Sequence, residues 1–144
     1  MLVRQILRSK GTAAVLAIGP DATVAEAARV LSERRIGCLV VSRDGQHPDG
    51  IISERDIVRE MGARGADCLA EPVAALMTAA VVTCGPDDAA DDVLGRMTDG
   101  RFRHLPVVDG GRMVGLISIG DVVKARLSEL SMEKDALEGM IMGH

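Results

Sequence analysis

Residues 19–41 read GPDATVAEAARVLSERRIGCLVV, and residues 85–108 read GPDDAADDVLGRMTDGRFRHLPVV. The two stretches begin at Gly19 and Gly85, an offset of 66. Identity is modest, but the pattern carries over. Val24, Ala27, Ala28 and Leu31 fall at i, i+3, i+4 and i+7, the spacing of one helical stripe. Their counterparts Ala90, Val93, Leu94 and Met97 form the same stripe. Gly-Pro-Asp precedes both as a turn. Thr23 with Glu26 has the spacing of a capping box. Such internal repetition constrains the fold more than any other feature, because each copy must fold as one unit and bury its apolar face against the other.

An apolar strand follows each helix: Cys38 to Ser42, then Leu105 to Val108. After a turn comes a second strand, Gly50 to Ser53 or Met113 to Ser118, and then a second helix, Glu54 to about Ala63 or from Ile119 onward. Val15 to Ile18 and Val81 to Thr83 read as leading strands. The expected fold class is α/β in the α+β sense: two repeats, each a small three-stranded sheet with two helices. Packed with pseudo-twofold symmetry, they leave a groove between the copies where ligands tend to sit. The expected boundaries are a helical extension over 1–14, a first repeat over 15–66, and a linker over 67–77 with Pro72 starting a helix. A second repeat over 78–128 and a helical tail over 129–144 complete the chain.

The repeats also share GIISERD (50–56) and GLISIGD (115–121). Serine at an N-cap with an acid at N3 is close to a capping box, worth about 1 kcal/mol. A second role is compatible with the first. The motif ends a strand and opens a helix, whose N-terminus presents free N–H groups to anions. A carboxylate there accepts two O–H groups at once and suits the cis-diol of a ribose, with the serine as a small donor and acceptor. Ser53 with Asp56 and Ser118 with Asp121 are therefore candidate ligand residues. A second element is RFRHLPVV, residues 101–108. Arg101, Arg103 and His104 read either as a solvated face or as a phosphate clamp, since guanidinium matches phosphate in bidentate geometry. Phe102, the one aromatic residue, belongs to the core or walls a base. The first copy has Arg35-Ile36-Gly37-Cys38 in this place, so one groove is expected to be richer in cations than the other.

Composition excludes several classes. The formal net charge is −4, which disfavours a phosphate-tracking surface, so nucleic acid is not an expected partner. The absence of Trp and Tyr removes base-stacking platforms and makes the core aliphatic, with Met as filler. Cys38, Cys68 and Cys84 are odd in number and form no C-x-x-C, which points to reduced thiols and a cytoplasmic setting. No metal-ligand quartet can be assembled, and no apolar run is long enough for a membrane span.

Taken together, GPDATVAEAARVL, IGCLVV with RHLPVVD, GIISERDIV with GLISIGDVV, and Ala75-Leu-Met-Thr78 resemble tandem CBS domains, the paired modules named after cystathionine beta-synthase. The resemblance runs from about Val15 to Leu127 and is strongest to stand-alone bacterial two-copy proteins. It implies binding of an adenosine ligand between the repeats: AMP, ADP, ATP, NAD(H) or S-adenosylmethionine. By resemblance Asp56 and Asp121 hold the ribose, with Ser53 and Ser118 beside them. Ile36, Gly37 and Cys38 in one copy and Phe102, Arg103 and His104 in the other wall the base. Thr78 lies near the base or ribose. Arg103, His104 and Arg55, then Arg101, meet phosphates.

The resulting expectation is a non-catalytic sensor that transmits nucleotide occupancy to an unidentified protein partner. Two alternatives stand beside it. One is an adaptor with vestigial clefts. The other is a nucleotide hydrolase using His104 as base or Cys38 as nucleophile, with no Gly-rich phosphate loop to support it. In the tail, Val123, Leu127, Leu130, Leu137 and Ile141 fit a/d spacing. They form either the inner face of a helix folded on its own domain or a homodimer seam, the favoured reading.

Overall fold

A computed structural model describes residues 1–11 and 15–142; residues 12–14 of the expected N-terminal extension and 143–144 of the tail lie outside the described residues. The first copy consists of β1 (Ala17–Ile18), α2 (Val24–Arg34), β2 (Cys38–Val41), β3 (Gly50–Ser53) and α3 (Glu54–Arg64). Its helix starts follow from side chains. The Glu26 N–H donates to Thr23 Oγ1 at 3.1 Å, and the Thr23 N–H donates to Glu26 Oε2 at 3.2 Å. The sheet has order β1-β2-β3, parallel then antiparallel, with Cys38 opposite Ser53.

The second copy repeats the plan with α5 (Ala90–Gly100), β4 (His104–Asp109), β5 (Arg112–Ser118) and α6 (Ile119–Ile141). His104 pairs with Ser118, as Cys38 does with Ser53. The expected strand at Val81–Thr83 does not form. Only Cys84 makes a parallel bridge, to Val107. The reason is Pro106. In the first copy the Val40 N–H donates to the Leu16 carbonyl, and the Ser42 N–H to Ile18. Proline at the position matching Val40 has no N–H to donate, so only the later bond survives, from Val108 to Cys84 at 2.8 Å. The second sheet is thus two-stranded with one bridging residue rather than three-stranded.

Both first helices end on a non-glycine residue with positive φ, Arg35 at 53° and Arg101 at 58°. This left-handed turn redirects the chain into the strand edges at 36–38 and 102–104.

Each copy's core is completed by a segment from elsewhere in the chain. The helix α1 (Val3–Lys10) packs on the second copy, where Val3 and Ile6 are buried with Val93, Met97, Leu105 and Ile117. A 3-10 turn (Ala66–Ala70) and α4 (Val73–Leu76) pack on the first copy, where Val73 is buried with Val24, Leu31, Leu39 and Ile52. Pro72 is the residue before α4 rather than its first residue, and the Val73 N–H is bound to the Ala22 carbonyl at 2.7 Å. The repeated glycines make room for these segments. A methyl group on Gly50 would lie 3.0 Å from the Thr78 carbonyl oxygen, and one on Gly115 would lie 2.7 Å from Leu7 Cδ2.

Only the start of α6 is covered: Val122 and Ala125 are buried. Val123, Leu127, Leu130, Leu137 and Ile141 are all exposed, so the stripe does not fold back onto its own domain.

Candidate functional site

Two cavities lie between the copies, and each takes residues from both. The first, about 790 Å³, sets Ser118 and Asp121 of the second copy against Ile36, Gly37 and Cys38 of the first. The second, about 390 Å³, sets Ser53, Arg55, Asp56 and Thr78 against Arg101, Phe102, Arg103 and His104. They are called cleft I and cleft II below. Every candidate ligand residue named from the sequence therefore lines a cleft. Gly37 and His104 line both and form the partition between them.

In cleft II Asp56 is buried at the N-terminus of α3. Its Oδ2 accepts the Ser53 N–H at 2.8 Å and the Ser53 hydroxyl at 2.9 Å, while Oδ1 accepts Arg59 Nη2 at 2.6 Å. Ser53 Oγ in turn accepts the Asp56 N–H. The acid is thus oriented by its own cap. Thr78 is tied to β3 by two backbone bonds with Ile51, of 2.8 and 3.0 Å. Phe102 packs against the second core and also lines the cleft.

Cleft I repeats the cap: Asp121 Oδ2 accepts the Ser118 N–H at 2.9 Å, and Ser118 Oγ accepts the Asp121 N–H at 3.1 Å. Its counterpart to Arg59 comes from a different element. Lys10 Nζ, at the end of α1, donates to Asp121 Oδ2 at 2.7 Å and to the Leu116 carbonyl at 2.9 Å. Burial alone would raise the Asp121 carboxyl, but the hydrogen bonds from Lys10 and Ser118 hold it below the usual carboxylate range.

Two expectations change in light of these surroundings. Burial, the largest influence on His104, holds its imidazole below the usual histidine range. At neutral pH these surroundings leave the ring uncharged, so Arg55, Arg101 and Arg103 remain as the predicted cations. Burial also pushes the Cys38 thiol up to about 12, the opposite of what an activated nucleophile needs. Sequence reading missed Arg59, Lys10 and Arg8, which line the clefts as well. Arg59 had a signal, standing three residues after Asp56 on one helix face. Lys10 had none, since it lies 111 residues from its partner. Among the described residues, no group of three or more His, Cys, Asp or Glu side chains is placed to hold a metal ion. No helix there is long and apolar enough to cross a membrane.

The CBS domain family profile matches twice, over residues 3–63 and 73–128. The chain belongs to the CBS-domain family. It contains two CBS repeats, and solved CBS-pair structures share its mixed α/β fold. A CBS-domain-containing protein from Agrobacterium tumefaciens superposes with a TM-score of 0.82 at 43% identity, over 88% of this chain and 99% of that one. A CBS-domain protein from Pyrobaculum aerophilum, solved in complex with AMP, gives a TM-score of 0.78 at 28% identity, over 92% and 99%. The mitochondrial CBS domain-containing protein CBSX3 of Arabidopsis thaliana is 33% identical over 98% of this chain and 72% of its own length.

Proposed function

We propose that this CBS pair is a non-catalytic sensor. It binds an adenosine-bearing ligand such as AMP, ADP, ATP or NAD(H) between its repeats and passes occupancy to a protein partner by a change in conformational balance. One observation carries the reading. Each cleft sets a carboxylate, already oriented by a serine cap, against the strand edge of the opposite copy. Such a carboxylate suits a sugar diol, and the apolar edge at Ile36–Cys38 in one cleft and the Phe102 ring in the other suit a purine. The Pyrobaculum aerophilum relative, solved with AMP, supports the same class of ligand. Cleft II, lined by Arg55, Arg59, Arg101 and Arg103, is suited to phosphates.

Assembly belongs to this reading. The exposed apolar stripe of α6 is the seam of a homodimer, which brings four repeats together. Its three free, buried cysteines fit a reducing compartment such as the cytoplasm. The test is mass spectrometry of small molecules released from freshly purified protein, followed by calorimetric titration of the stripped protein. Release or micromolar binding of an adenosine ligand supports the sensor. Failure of AMP, ATP, NADH and S-adenosylmethionine alike to bind leaves the adaptor.

A further inference from the structure

The two clefts draw their cations from different elements. In cleft II the strand edge of the second copy brings Arg101 and Arg103, and α3 adds Arg55 and Arg59. At the matching edge in cleft I stand Ile36, Gly37 and Cys38, which carry no charge. With His104 neutral, the repeats alone would give cleft I a single formal charge, the Asp121 carboxylate, and that charge would repel a phosphate. Yet cleft I holds two cations, Arg8 and Lys10, and both come from α1.

Helix α1 has anchors other than Lys10. Val3 and Ile6 anchor it in the second core, and Leu7 packs over Gly115. A docked helix thus delivers the ammonium to a set place. Two of its three N–H donors are used, one by Asp121 Oδ2 and one by the Leu116 carbonyl, leaving a third. Asp121 in turn receives both Lys10 and the Ser118 N–H on Oδ2. Its other oxygen, Oδ1, has no hydrogen-bond partner among the described residues and stays open to a hydroxyl.

We propose that Lys10 is the specificity-determining cation of cleft I, making it a site for an adenosine ligand that carries phosphate rather than a neutral or cationic one. Asp121 keeps its role toward the sugar, and Lys10 cancels the repulsion that this carboxylate would exert on the phosphate of the same ligand. The inference rests on the adenosine reading above and adds the residue that sets the ligand's charge.

Calorimetric titration with AMP and adenosine tests it, in an Asp56→Asn background that weakens cleft II. Lys10→Met removes the ammonium and keeps most of the apolar stem. AMP affinity is expected to fall about tenfold, as for loss of one charge-assisted hydrogen bond, while adenosine affinity moves less than about twofold. Lys10→Arg keeps the charge and is expected to retain the preference for AMP. An equal loss of AMP and adenosine overturns the proposal, because Lys10 then only positions Asp121 or α1. An unchanged ratio overturns it too. Absence of binding by both ligands to the unaltered protein overturns the adenosine reading along with it.

Discussion

Asp56 orients the start of its helix and, in the function proposed above, also holds a sugar; two substitutions separate these roles. Asp56→Ala removes the acceptor of the Ser53 N–H and hydroxyl, along with the partner of Arg59. The Ser53 hydroxyl still caps the helix through the Asp56 N–H, but losing the carboxylate that accepts the Ser53 N–H costs about 1–2 kcal/mol. The ion pair adds little, because the Arg59 side chain is 70% exposed. For a 144-residue chain, each kcal/mol moves Tm by about 3 °C, so a drop of about 3–6 °C is expected. Asp56→Asn keeps an amide oxygen for the Ser53 N–H and should lose less than about 3 °C. The ligand response differs. AMP at about a hundred times its Kd adds roughly 2.7 kcal/mol, or about 8 °C, for each occupied cleft. Both variants should lose the share of cleft II, because neither presents a carboxylate to the sugar. Differential scanning fluorimetry with and without AMP reads both effects. If Asp56→Asn keeps the full AMP-induced shift, the carboxylate does not hold the ligand. If Asp56→Ala melts where the unaltered protein does, the cap argument is wrong.

Three further outcomes follow from the same structure. Gly50→Ala should destabilise by about 1–3 kcal/mol in a urea melt, because the Thr78 carbonyl it crowds is pinned by backbone bonds to Ile51; wild-type stability would show that the linker yields freely. The thiols of Cys38 and Cys84, pushed up by burial to about 12 and about 11, should stay unreactive toward a disulfide reagent at pH 8 until denaturant is added. The Asp121 carboxyl is held below its unfolded value of about 3.8, so its contribution to stability is present above that pH and is lost as pH falls through the lower folded value. Lys10→Met should therefore flatten the acid limb of Tm against pH below about 4, and an unchanged limb would show that Lys10 does not hold this carboxylate.

The wall residues of the clefts were legible because their signals are short. Ser53 and Asp56 stand three apart, as do Ser118 and Asp121, and the strand edges follow directly from the helix ends at Arg35 and Arg101. How the lining residues divide between two clefts was not legible. Ile36 faces Asp121 rather than its own copy's Asp56, and Arg103 lines the cleft with Asp56 rather than that with Asp121. Pro106 was visible, but its consequence depended on knowing that a leading strand must borrow a donor from that position.

By itself, the amino-acid sequence determined the two units, their helix caps, their apolar stripes and the paired acids. The units follow from a repeat at an offset of 66, and the rest from spacings of three or four residues, a local geometry that needs no partner. Tertiary structure alone decided that α1 completes the second core and α4 the first, which copy's acid meets which copy's strand edge, and that Lys10 reaches Asp121. Those outcomes join residues far apart in the chain. They depend on which apolar face finds which gap, a property of the packed whole that no local pattern encodes.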